Sequence, residues 1–124
     1  MLLYRGTSYS VDRSYSLKRH KEFRYTYARG RAQSLPLFTL VYVKSRNETV
    51  RVGFSVSKRI GNAVHRNRAK RRMRAGLSPM LPHIAGGFNV IFVAKPDVLE
   101  APFSELQKQM ETLLRRAGLW RDEP

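Results

Sequence analysis

Val52-Gly53-Phe54-Ser55-Val56-Ser57-Lys58-Arg59-Ile60-Gly61-Asn62-Ala63-Val64-His65-Arg66-Asn67-Arg68-Ala69-Lys70-Arg71 sets the architecture of this chain. Val52, Phe54 and Val56 alternate with Gly53, Ser55 and Ser57, the period-two pattern of a strand, here expected over residues 49–57. Gly61 then breaks the chain. Asn62 is a good N-cap, because its side-chain oxygen accepts from a first-turn N–H that has no partner within a helix. A helix over residues 63–75 follows. His65, Ala69, Met73 and Gly76 share the face that can lie on a sheet. Asn67, Lys70, Arg71 and Arg74 recur at i, i+3, i+4 and i+7 on the opposite side. Arg66 flanks this stripe, and Arg68 and Arg72 lie beyond its other edge. Gly76, Pro79 and Pro82 are expected to end the helix.

The charge on this segment decides its chemistry. Between Thr49 and Pro96 ten residues are basic and none is acidic, and seven of the ten fall within residues 59–74. Like charges repel, so folding stability does not explain the cluster; neutralisation by a polyanion does, and a phosphate backbone is the common one. Arginine predominates, and its planar fork suits bidentate phosphate contacts and stacking on bases. The Gly61-Asn62 entry also leaves N–H groups free at a helix start, a natural anion seat. The net charge of +15 and pI near 11.1 rank nucleic acid first, an anionic membrane second and an acidic protein third.

Working outward, residues 18–29 read as a helix, with His20, Phe23 and Tyr27 at i, i+3 and i+7 and Gly30 as its cap. Residues 37–43 alternate as a strand, and residues 44–48, with Asn47, suit a hairpin turn into residues 49–57. Residues 88–94 are almost wholly apolar, as expected of a strand buried on both faces. Residues 103–117 form a last helix, with Phe103, Leu106, Met110, Leu113, Leu114 and Ala117 on one stripe and Gly118 after it as the cap. Residues 1–15 read as extended or mobile, residues 16–120 as a single RNA-binding α/β domain, and residues 121–124 as a tail.

Several functions are excluded or disfavoured. The chain lacks cysteine, so disulfides, thiolate metal sites and cysteine nucleophiles are out, and a reducing cytoplasm is consistent with that. The longest apolar run, residues 35–43, is far too short to span a bilayer, so no spanning segment is expected, and no membrane is expected among the partners. Nine carboxylates are scattered, none in the most basic region, whereas a two-metal nuclease wants clustered acidic ligands. His20, His65 and His83 lack metal-ligand spacing. No catalytic residue and no metal ligand is therefore assigned. His65 is expected on the sheet-facing side of its helix.

Residues 52–71 closely resemble the signature of the bacterial ribonuclease P protein subunit: a strand ending S-V-S-K, then K/R-x-G-N-A-V, then R-N-R-x-K-R. Residues 17–119 resemble the family more loosely, through Leu17-Lys18-Arg19 with Glu22-Phe23 and through Leu113-Leu114-Arg115-Arg116 with Gly118-Leu119. The resemblance implies an α/β (α+β) two-layer sandwich in the order helix, three strands, helix, strand, helix. A short extra strand near residues 32–35 and a left-handed crossover through the basic helix, an exception to a strong rule, come with it. It implies a protein that binds a catalytic RNA and the 5′ leader of precursor tRNA, one monomer per RNA, in the cytoplasm. The RNA, with magnesium, would cut the leader; the protein itself would bind no cofactor. Carried over by residue, Arg66, Asn67, Arg68, Lys70 and Arg71 match the block facing the catalytic RNA. Lys58 and Arg59 lead into it, and Asn62 and Arg74 adjoin it. Phe23 and Tyr27 match the aromatic positions of the leader cleft, where unpaired bases stack. The chain departs from the family in having Ala69 and Arg72 where Leu or Ile is frequent, and in the expected stop at Gly76.

Two other readings remain open from sequence. A ribosomal or ribosome-assembly RNA-binding protein would have the same basic content. A DNA-binding helix motif fits less well, since no short helix precedes the basic one as a helix-turn-helix requires.

Overall fold

A computed structural model describes residues 15–17 and 20–123. Residues 1–14, Lys18, Arg19 and Pro124 lie outside the described residues, and with them most of the segment expected to be extended. Helix α1 spans His20–Arg29, followed by strands β1 (Arg31–Ser34), β2 (Phe38–Lys44) and β3 (Arg51–Ser55). Helix α2 spans Ala63–Leu77, strand β4 Phe88–Ala94 and helix α3 Phe103–Arg116. The order is the expected one, including the short strand β1.

The sheet order is β1-β2-β4-β3. β2 pairs antiparallel with β1 and β4, while β3 pairs in parallel with β4, Val52 opposite Val90 and Phe54 opposite Phe92. β2 and β3 are therefore not a hairpin, contrary to the sequence reading. The turn residues reverse the chain, but β4 enters between the two strands. Residues 45–50 bridge the gap of two strand spacings, about 10 Å. The start of β4 pins this loop: the Ser45 N–H donates to the Gly87 carbonyl at 2.9 Å, and a Cβ on Gly86 would come within 1.9 Å of the Glu48 carbonyl oxygen.

One face of the sheet carries Phe38, Leu40, Val52, Val90 and Phe92, which pack with Ala69, Met73 and Leu77 of α2 and Leu106, Met110, Leu113 and Leu114 of α3. These α2 and α3 residues have no exposed surface. Full burial of each aliphatic side chain contributes about 1.5–3 kcal/mol, so this layer is the principal source of stability. The other face carries a smaller cluster of Leu17, Val41 and Ile91, with Phe23 and Val93 against it. α1 lies on this second face, its Thr26 fully buried and its Thr26 hydroxyl donating back to the Glu22 carbonyl at 2.8 Å. Gly30 follows α1 for reasons of space: a Cβ there would come within 2.9 Å of Val41 Cγ1 and 3.0 Å of the Tyr42 carbonyl oxygen.

α2 does not stop at Gly76. It runs to Leu77 and continues as a 3-10 turn over Ser78–His83. Gly76 is buried where α2 crosses α3, and a Cβ there would come within 2.5 Å of Leu106 Cδ2. The glycine serves helix-to-helix approach, not termination. Gly118, in contrast, is a true cap with φ 76°. The Leu119 N–H reaches the Leu114 carbonyl and the Gly118 N–H that of Arg115, the paired bonds of a Schellman motif. Trp120 stacks on His83 with ring centroids 4.9 Å apart, and the Arg121 N–H donates to the His83 carbonyl at 2.7 Å, so the start of the expected tail is held down. Tyr15, expected in the mobile segment, packs against the main core.

Candidate nucleic-acid interface

α2 begins as the sequence reading requires. Asn62 Oδ1 accepts from the His65 N–H at 3.0 Å. Gly61 sits at φ 142°, and a Cβ there would come within 2.8 Å of the His65 ring. Lys58 and Arg59 form an exposed 3-10 turn before it, capped by the Ser57 hydroxyl, which accepts from the Arg59 N–H. The Arg66 guanidinium folds back to donate to the Gly61 carbonyl at 2.9 Å, tying the first turn of α2 to its entry.

His65 is exposed, not sheet-facing, as are Ala63 and Val64, the last 72% exposed. A helical wheel gives the face but not the distance along the axis at which a neighbour begins. The first turn of α2 overhangs the sheet, and burial starts at Ala69. Asn62, Asn67 and Arg68 are exposed on this end of α2, and Arg71 continues the exposed side beyond Ala69. Among the described residues no carboxylate pairs with a cation of α2; both recorded ion pairs are made by Arg115, with Glu111 and Asp122.

Lys70 and Arg74 depart from the outward stripe. Both are half-buried and line a groove of about 230 Å³ with Ser16, Leu17, Phe23, Gly53 and Phe54. One wall exists because Ser16 bridges to Val52 on the free edge of β3, the Leu17 N–H donating to the Val52 carbonyl at 2.8 Å. Nothing in the sequence pattern announced that pairing. Phe23 lies in the groove on the bare backbone of Gly53, while Tyr27, one turn later on α1, is 45% exposed. Phe38 is wholly buried, and Tyr42 and Phe54 pack partly buried on the core. The structure thus joins two sets of residues that the sequence reading kept apart: Phe23 shares its groove with Lys70 and Arg74.

The ribonuclease P family profile matches residues 11–118. The chain belongs to the ribonuclease P protein family. It is 41% identical over 110 residues to the ribonuclease P protein component of Chloroflexus aurantiacus, covering 88% of this chain and 82% of that protein. It is 36% identical over 114 residues to the corresponding component of Symbiobacterium thermophilum, covering 91% and 99%. The Staphylococcus aureus RNase P protein superposes with a TM-score of 0.77 at 27% identity, covering 86% of this chain and 98% of that one. The Thermotoga maritima RNase P protein has the same fold, with a TM-score of 0.74 at 21% identity over 82% and 96%. Among the described residues, no helix is long and apolar enough to cross a membrane.

Proposed function

We propose that this chain binds the catalytic RNA of ribonuclease P through the overhanging face of α2 and holds the 5′ leader of precursor tRNA in the adjoining groove. Family membership makes it a subunit of ribonuclease P, an endoribonuclease of tRNA processing. The finer assignment rests on one observation. Among the described residues, a row of α2 cations without carboxylate partners continues, through Lys70 and Arg74, into a groove lined by Gly53, Phe54 and Phe23. A phosphate backbone neutralises the row, and an unpaired base finds a ring face in the groove. Lys58, Arg59, Asn62, Arg66, Asn67, Arg68, Lys70, Arg71 and Arg74 are assigned to RNA, and Phe23 and Tyr27 to the leader.

The polypeptide is assigned positioning, and the RNA the phosphodiester hydrolysis. Among the described residues no three His, Cys, Asp or Glu side chains gather as metal ligands. We assign the magnesium of the holoenzyme to the RNA. One monomer per RNA, acting in the cytoplasm, completes the proposal. The test is cleavage of precursor tRNA with the cognate RNA subunit present or absent. Cleavage at low magnesium only when both components are present supports the assignment. Cleavage by polypeptide freed of RNA contradicts it.

A further inference from the structure

Phe103 is expected on the buried stripe of α3, yet it is 41% exposed. It stands on the first turn of α3, where the stripe runs out beyond the sheet. Across from it lie Arg68, Arg71 and Arg72 of α2, and with Ala75 they line an open surface cavity of about 390 Å³. This cavity is distinct from the groove of Phe23. It opens on the flank of α2 that bears Arg68 and Arg72, whereas Lys70 and Arg74 turn toward the groove.

Among the described residues no acidic side chain lines the cavity to compensate these cations. One arm of the Arg72 guanidinium donates to the Ala101 carbonyl, which fixes the group in place, but its Nε is buried and has no partner. Burial and the neighbouring Arg68 charge both hold the Arg72 pKa below its usual value, the direction that crowded, desolvated cations take. A fixed guanidinium, two further cations and an aromatic face are the parts that seat a phosphate together with the base next to it.

We propose that this cavity is a nucleotide-binding site. An unpaired nucleotide of the catalytic RNA would stack its base on Phe103 and place its phosphate among Arg68, Arg71 and Arg72. The proposal rests on the assignment of α2 to RNA and adds Arg72 and Phe103 to it. It turns a contact of charge alone into one that selects an unpaired residue over a regular duplex, because a paired base cannot present its face.

The test measures affinity of the intact protein for its cognate catalytic RNA with Phe103→Leu and Phe103→Trp. Leucine keeps apolar bulk without a flat face; tryptophan keeps the face. Binding about 5- to 150-fold weaker with leucine and near wild type with tryptophan is expected, the range for one stacked base. Circular dichroism melts confirm that both variants fold. Wild-type affinity for Phe103→Leu, or equal loss in both variants, overturns the site. An Arg68→Ala, Arg71→Ala pair measured alongside separates the two levels. If that pair weakens binding and Phe103→Leu does not, the cavity fails while the RNA assignment of α2 stands. If neither has an effect, both fail.

Discussion

The Phe23 ring rests on Gly53 so closely that a Cβ at position 53 would come within 2.5 Å of the ring Cζ and 2.7 Å of Cε1. Phe23 belongs to α1 and Gly53 to β3, the edge strand, where Gly53 is buried beside the bridge that Ser16 makes. The missing side chain lets the tip of a large ring come down on backbone where both residues line the groove. That ring position couples local packing to the leader assignment.

Gly53→Ala is expected to displace the Phe23 ring, the end of a side chain, and not to unfold the domain. Overpacking of this kind costs about 1–3 kcal/mol. The variant should fold, with a lowered melting temperature and weakened binding of leader-bearing tRNA. Unchanged leader binding would place the functional face elsewhere.

Phe23→Ala removes the ring itself. Binding of leader-bearing precursor tRNA should fall by the amount of about one stacked base, about 1–3 kcal/mol, while mature tRNA binding in the holoenzyme is spared. Equilibrium binding of the two tRNAs to holoenzyme checks this. Equal weakening of both would make the ring a core residue only.

Arg68→Ala with Arg71→Ala removes two exposed cations from α2. For every phosphate no longer neutralised, the log–log salt dependence of catalytic-RNA binding should flatten by about 0.7–0.9. Affinity at low salt should fall and the slope should become shallower. An unchanged slope would mean that these side chains do not reach phosphates.

Gly76→Ala and Gly118→Ala separate two reasons for a glycine. At 76 the added carbon meets the fully buried Leu106, and overpacking opposes the gain of about 1 kcal/mol from better helix propensity. A net loss of up to about 2 kcal/mol is expected, within the usual range for overpacking. At 118 nothing lies within 4 Å, and the loss of about 1–2 kcal/mol comes from the positive φ alone. Denaturant titrations check both. Neither variant should change RNA affinity, since neither residue lines the interface.

Local chemistry made much of the fold legible. Asn62 and Gly118 cap their helices as their types suggest, and the apolar run of residues 88–94 is the central strand. Arg31–Ser34 has no alternation of its own, so β1 followed only from the family resemblance. What stayed hidden depends on partners distant in sequence. Turn residues at 44–48 signalled a reversal but not that β4 would separate β2 from β3. His65 and Phe103 fall on apolar faces of their helical wheels, yet both project past the sheet. Gly76 looked like a helix stop until Leu106 supplied a reason for its size. For the candidate site, the cationic stripe was plain in sequence, whereas the groove uniting Lys70 and Arg74 with Phe23 needed the Ser16 bridge.

Site-resolved crosslinking addresses the central claim most directly. A photo-reactive side chain would be placed in the holoenzyme at Asn67, on the overhang of α2, and separately at Lys108, exposed on α3. The account predicts a strong crosslink from position 67 to the catalytic RNA and little or none from position 108. RNA crosslinked through position 108, with position 67 silent, would contradict it.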